Sequence, residues 1–393
     1  MIRRIRAVYV SPNGIGTALV RSQVLPYLRA LEAAGVDTTL VTFERDEPAP
    51  PGELPRVRHV PLRRQRGTHL LAKVADVIVG TLAVIASGRR AHADIIHARS
   101  YLPAAIAWIA SAVLRRPYIF DMRGFLGDEY VEAGYWSARD LRYRVVRSIE
   151  RHLIGGAAAI VVLTRRGEER LRTTARYGTL DDADITVIPC GVDLARFRPA
   201  DERSPVPTLV YSGSLGMWYL LPEMLRVYAH AREREPRLRL LIANRTEHAL
   251  IQEELTRARL GGADVRVVAA DFSDMPSVLA QAHVGIALIR RQPSKLGSSP
   301  IKVAEYLACG LPVVVNAGMG DTDDLIDRSG AGHVVRSFDE PELRRAGDAV
   351  VALVGDVDAR IRARELAAAE FDVVEGGRRY VALYERIARG VRR

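Results

Sequence analysis

The residues able to do chemistry gather most densely in the stretch 290–310, RRQPSKLGSSPIKVAEYLACG. Ser299 followed by Pro300 reads as an N-cap with proline at the first helical position, so a helix begins at about Ile301. A helix start carries a partial positive charge and unpaired N–H groups, both favourable to an anion. Arg290, Arg291, Lys295 and Lys302 stand around it, an excess of cations that folding does not require. The chain has only three lysines, Lys73, Lys295 and Lys302, and two of them fall in this stretch. Lysine is a compact point charge suited to a phosphate. Glu305, about one turn into the helix, is placed to accept hydrogen bonds from sugar hydroxyls.

Two glycine loops extend the picture. Asn13-Gly14-Ile15-Gly16-Thr17 follows an apolar run and opens an amphipathic one, so its backbone can approach a ligand. The third glycine of a dinucleotide fingerprint is absent and Phe43-Glu44 is poorly placed as its acid, so a structural turn and a phosphate loop both fit. Tyr211-Ser212-Gly213-Ser214-Leu215-Gly216 is a loop of the same type, in the equivalent place of the second half. Asp121, Arg123 and Gly124 end another apolar run, with Asp128-Glu129 just beyond. An acid and a base at the end of a strand point to function more than to a surface pair of small worth.

These loops need a frame. Short apolar runs at 5–10, 36–43, 94–98, 118–121, 159–163 and 185–188 read as strands. Between them, 17–34, 68–87, 101–114 and 138–153 read as helices. Residues 194–207, with three prolines and mixed charge, look like a linker. The alternation resumes with strands at 208–212, 238–243, 265–269, 284–289 and 312–316. Helices are expected at 219–234, 247–260, 275–281 and 301–309, and from residue 341 to the end. Strand–helix alternation with buried runs predicts parallel sheets covered on both faces. Two doubly wound domains with ligands beyond the carboxyl ends of the strands follow from this pattern.

Composition narrows the function. The chain has 393 residues, 48% hydrophobic and 26% charged, the profile of an ordinary globular protein of two or three domains. Its net charge of +10 lies wholly in the first half. Residues 1–200 hold 30 Lys+Arg against 20 Asp+Glu, and residues 201–393 hold 27 of each. Basic runs at 3–6, 56–66, 139–151 and 165–176 make an anionic membrane surface the expected partner of that half. No nucleic acid is expected: no known motif is present and aromatic residues are only 6%. The apolar runs 77–87 and 102–114 are too short to span a bilayer, and the N-terminal one is too short for a signal peptide. Cys190 and Cys309 make neither a disulfide framework nor a zinc site, which suits a reducing, cytoplasmic compartment. D-x-D spellings at 182–184, 321–323 and 356–358 follow no strand suitably, and no essential metal or other cofactor is expected.

Three segments together resemble the GT-B retaining glycosyltransferases of family 4, the group 1 glycosyltransferases. They are Val187-Ile188-Pro189-Cys190-Gly191-Val192-Asp193 with Phe197 and Pro199, then the loop 211–216, then SPIKVAEYLACGLPVVV at 299–315. Cys190 stands where the family has asparagine. The resemblance implies an α/β GT-B fold, two Rossmann-like doubly wound domains facing across a cleft. It places an acceptor domain at 1–195, a nucleotide-sugar domain at 200–370, and a C-terminal helix at 371–393 packing back on the first. It makes Glu305 the second glutamate of an E-x7-E motif whose first position is Gly297. Met217-Trp218-Tyr219 replaces the usual Arg…Lys pair for the diphosphate, leaving Arg245, Arg290, Lys295 and Lys302 to supply its charge. Base contacts fall in the loop 271–274, at Phe272. Gly14, Gly16, Gly213, Ser214, Ser299, Pro300 and Ile301 complete the donor set, and Arg123, Asp121 and Lys302 are the catalytic candidates. The implied activity is metal-independent sugar transfer with retention, and the charge asymmetry adds the expectation of a glycan or lipid-linked acceptor met in the cytoplasm, at the inner face of the cell membrane. A GT-B epimerase or hydrolase and an inactive sugar-nucleotide-binding partner are the alternatives.

Overall fold

Strand-favouring runs pair in register in two separate parallel sheets of a computed structural model. It describes residues 4–45, 56–64, 70–174, 177–178, 180, 185–202, 204–261 and 263–390. The chain divides into two units, one of residues up to Pro189 and from Val373 onward, the other Cys190–Asp372.

In the first unit, β1 (Arg6–Ser11), β2 (Asp37–Glu44), β3 (Arg58–Arg63), β4 (Ile95–Arg99), β5 (Tyr118–Asp121), β6 (Ala159–Val162) and β7 (Ile185–Val187) form one sheet. Their order is β3-β2-β1-β4-β5-β6-β7. Its helices are α1 (Ala18–Gln23), α2 (Leu25–Ala33), α3 (Leu70–Ala91), α4 (Tyr101–Leu114), α5 (Leu126–Glu132), α6 (Leu141–Gly155) and α7 (Arg165–Thr173). The two-residue period of a strand sends Val8 and Val10 to one face and Ala7 and Tyr9 to the other. Val8 and Val10 pack with Val84 of α3, Ile106 of α4 and Ile154 of α6. Ala7 and Tyr9 pack with Val20 of α1 and Leu28 of α2.

The helix expected at 17–34 is two helices. Thr17 caps α1 through Val20 N–H, but Pro26 has no N–H to continue the ladder and sits in the first turn of α2. Within the basic run 56–66, residues 58–63 form β3, an edge strand that tolerates both the charges and Pro61. The run at 165–176 contains α7, capped by Thr164. Arg3, Arg66, Arg176 and the D-x-D at 182–184 lie outside the described residues. α3 corrects the expectation that nothing is long enough to cross a bilayer: by length and composition Leu71–Ala91 is, because Lys73 and Asp76 interrupt the run without ending the helix.

The second unit sets β8 (Thr208–Ser212), β9 (Arg239–Ala243), β10 (Val265–Val268), β11 (Val284–Ala287), β12 (Val313–Asn316) and β13 (Gly332–Val335) in the order β10-β9-β8-β11-β12-β13. Around them are α8 (Leu221–Arg234), α9 (His248–Arg257), α10 (Met275–Leu279), α11 (Ile301–Ala308), α12 (Thr322–Ser329), α13 (Glu340–Gly355) and α14 (Val357–Glu370). Residues 190–195, expected in the first domain, belong to this unit because Val192 bridges Asp372 and its N–H bonds Phe371 O. Two D-x-D acids serve the backbone: Asp323 accepts Gly318 N–H and Asp356 caps α14 at Ala359 N–H. α15 (Val373–Gly390) belongs to the first unit, where Tyr380 and Tyr384 join the Ala7–Tyr9 face.

Strand order reverses between β1 and β4 in one sheet and between β8 and β11 in the other. Crevices beyond such points are where open α/β sheets bind ligands.

Candidate functional site

At the second unit's reversal, β8 delivers Tyr211 and Ser212 to a turn at Gly213, whose φ of +96° favours glycine. An added Cβ there would stand 3.4 Å from Lys302 Nζ. Lys302 is buried at the start of α11, and its ammonium donates to the Tyr211 hydroxyl at 2.8 Å. It also lies 3.4 Å from the Tyr219 ring centroid and 4.1 Å from that of Tyr211. Burial pulls its pKa well below the usual lysine range, against the attraction of Glu305 and Glu247. Glu305, also buried, is pushed up to about 8 by burial, with Lys302 and Arg196 opposing. Among the described residues, no group hydrogen-bonds its carboxyl. Two half-satisfied ionisable groups three residues apart are costly in a core and useful where an anion with hydroxyls arrives.

Tyr306 anchors α11 from behind, its hydroxyl accepting Ser212 N–H at 2.6 Å. Lys295 sits 3.7 Å from the Trp218 ring centroid. Tyr219 and Trp218 occupy the place of the pattern's missing cations, and here they cradle the two lysines by cation–π contact. Sequence gave no sign of that cradle beyond the replacement itself.

Several expectations need correction. Ser299 does not cap α11: Pro300 holds the N-cap position without a side-chain bond, and Ser299 Oγ instead accepts Cys190 N–H at 3.2 Å. Ile301 is the first helical residue. Arg245 pairs with Asp271 at 3.1 Å on the surface and Arg290 is exposed, whereas Lys295 and Lys302 are buried. The Phe272 carbonyl accepts from Arg196, whose guanidinium stacks on the Phe272 ring at 4.2 Å, so that backbone contact is occupied. Glu247 takes Leu215 N–H at 2.7 Å and Gly216 N–H at 2.8 Å, next to Ser214, whose carbonyl accepts from Tyr211. Those amides are therefore not open to a phosphate. Gly297 ends the 3₁₀ turn Pro293–Gly297, which carries no acid.

The first unit repeats the device. Glu44 receives Ile15 N–H at 3.1 Å and would clash with a Cβ on Gly14, so the acid judged poorly placed closes the Gly14–Gly16 loop. Beyond β4 and β5, Asp121 is buried beneath His97, Arg123 and Tyr380. Arg123 donates to Asp121 Oδ1 at 3.2 Å, and Tyr380 to Oδ2 at 3.3 Å. His97 Nε2 lies 3.5 Å from Oδ2, and its Nδ1 lies 2.7 Å from the Tyr384 hydroxyl. Burial raises the Asp121 pKa, but Arg123, His97 and Arg99 outweigh it and hold the carboxyl below the usual range. Burial keeps His97 below the usual histidine value despite Asp121. The two ring nitrogens of His97 thus link the Asp121 carboxyl to the Tyr384 hydroxyl. Asp121 has 1% of its surface exposed, and its carboxylate is taken up by these neighbours. Gln23 holds both Arg99 (2.6 Å) and Arg123 (3.2 Å). Asp121 and Arg123 stood out in the sequence, whereas Gln23, His97, Tyr380 and Tyr384 are too far apart along the chain to form a local motif.

Comparison with known proteins decides the family. The description "Glycosyl transferase 4-like domain" matches residues 20–191, and "Glycosyl transferases group 1" matches residues 206–356. The chain belongs to the group 1, family 4 glycosyltransferases. A D-inositol 3-phosphate glycosyltransferase of Streptomyces bingchenggensis is 25% identical over 293 residues, 67% of this chain and 60% of that protein. The chain therefore spans less than two thirds of that relative. Sucrose-phosphate synthase from Thermosynechococcus elongatus superposes with TM-score 0.76 at 18% identity, covering 98% of this chain and 100% of that one. Anabaena HepE in complex with UDP-glucose gives TM-score 0.64 at 16% identity, covering 98% and 99%. The fold of this glycosyltransferase-family chain is accordingly GT-B, two Rossmann-like α/β domains.

Proposed function

We propose that the chain transfers a sugar from a nucleoside diphosphate sugar, with retention and without a metal, to a glycan or lipid-linked acceptor at the cytoplasmic face of a membrane. The observation that carries this is the buried Lys302, its Nζ held on Tyr211 and Tyr219 at the β8–β11 reversal, with Glu305, whose carboxyl takes no hydrogen bond among the described residues, one turn along α11. Diphosphate oxygens meeting Lys302 keep its proton on, and the dipole of α11 adds to the stabilisation of the leaving group. The Glu305 carboxyl meets hydroxyls of the donor. In a retaining path the acceptor hydroxyl attacks on the side the diphosphate leaves, and its proton passes to that diphosphate, so no second carboxylate is needed at Gly297. Arg123, steadied by Asp121 and Gln23, is the charged group of the first unit offered to the acceptor side. The Anabaena structure with UDP-glucose supports a nucleotide-sugar donor, and the basic first half supports an anionic membrane as partner.

Thermal-shift screening against UDP-, GDP-, ADP- and dTDP-sugars identifies the donor, since a ligand binding the native state raises apparent stability. The anomeric configuration of the product, read by proton NMR, is expected to match the donor's, and chelator is expected to leave turnover unchanged. An inverted product, or donor consumption that ignores acceptor, overturns the reading in favour of another chemistry.

A further inference from the structure

α3 hides small residues and shows large ones. A Cβ on Gly80 would stand 2.5 Å from Ile106 Cδ1, and one on Gly88 would stand 2.6 Å from Leu114 Cδ1, so the helix sits tight on α4. On its other side Leu71, Val74, Ile78 and Leu82 recur at helical spacing and are 82%, 45%, 55% and 63% exposed. The neighbouring helices continue this surface: α4 exposes Trp108 and Val113, and α6 exposes Val145 and Ile149. The Trp108 ring meets the His152 ring of α6 at 6.3 Å between centroids, joining the two outward faces. Contiguous apolar exposure of this kind marks an interaction site.

Charge says what the site meets. Lys73, Arg89 and Arg90 on α3 and Arg142, Arg144 and Arg151 on α6 are all exposed. The only acids of the three helices, Asp76 and Glu150, are both buried. The outward charge of the helices themselves is therefore positive, and Asp140, just before α6, pairs with Arg142 at 3.5 Å.

We propose that the outward faces of α3, α4 and α6 dock on an anionic lipid surface, their apolar side chains entering the head-group boundary while the rim of arginines meets lipid phosphates. This deepens the membrane-facing part of the function proposed above and rests on it. A second copy fits the face poorly, because self-pairing sets arginine against arginine and Asp140, the acid at its edge, is already paired with Arg142. α3 lies along the surface instead of crossing it, since Val84 and the two glycines bind it into the folded unit.

Co-sedimentation of the full chain with vesicles of phosphatidylcholine alone, and with a quarter phosphatidylglycerol, tests this at low and physiological salt. Binding is expected only to the anionic vesicles, weakening severalfold as salt screens the charges. Ile78→Asp with Leu82→Asp, or Arg142→Glu with Arg144→Glu, is expected to weaken it about tenfold or more. Both pairs are exposed, and unchanged stabilisation by a nucleotide sugar checks that they fold. No binding by the native chain overturns the proposal, as does equal binding by both double variants. A lipid-free dimer abolished by the Ile78/Leu82 pair assigns the face to a second copy and overturns it too. Lipid binding without any nucleotide-sugar binding would instead sink the transferase reading.

Discussion

At the residue scale, the site is a balance of burial against charge. Glu305 has its pKa raised from 4.5 to about 8, so between those pH values the native chain holds a proton that the unfolded chain has released. Stability must then fall as pH rises across that window. Glu305→Gln is neutral throughout and lacks this slope. Melting temperatures at pH 5 and pH 8 are expected to show the native chain losing stability relative to the glutamine variant, by up to about 1.4 kcal/mol per pH unit. Parallel curves would mean that the carboxyl is ionised and partnered. Lys302 and Glu305 were legible in the sequence because they fall in one short helix start. The Tyr211–Tyr219 cradle and the His97–Asp121–Tyr384 chain were not, because their members lie on different strands and helices and meet only through the sheet.

At the element scale, the close packing of β11 against α11 sets where Lys302 points. A Cβ on Gly285 would run into the Tyr306 ring, whose hydroxyl holds Ser212. Gly285→Ala is therefore expected to lower stability by about 1–3 kcal/mol, the usual cost of overpacking, and to weaken nucleotide-sugar binding along with it. Denaturant unfolding and donor titration check this; a variant with native stability and affinity would show that α11 is positioned by something else. Strand and helix positions were legible wherever a run was buried on both sides, as at β8 and β12. β3 was not, since an edge strand exposes one side and its arginines read only as a basic run. α12 and β13 follow β12 with too little apolar periodicity to stand out, and the break between α1 and α2 depends on one missing N–H at Pro26.

At the scale of the molecule, the charge excess of the first half is now divided. Part is internal, such as Arg147, which pairs with the buried Glu150, and Arg99 and Arg123, both bound to Gln23. Another part is outward on α3 and α6. The two sheets share one design: in each, an acid near the end of a neighbouring strand (Glu44, Glu247) closes the loop after the first strand. In the second unit this leaves Lys302 and α11 as the proposed anion-binding element, and Arg123 falls in the other unit. Calorimetric titration of the best-stabilising nucleotide sugar into the native chain, Lys302→Met and Arg123→Ala separates these assignments. Lys302→Met removes a desolvated cation without opening a void, so it should fold with stability equal to or above that of the native chain. Its donor affinity is expected to fall at least about tenfold, while Arg123→Ala keeps native affinity and loses transfer. Native affinity in Lys302→Met would contradict the account.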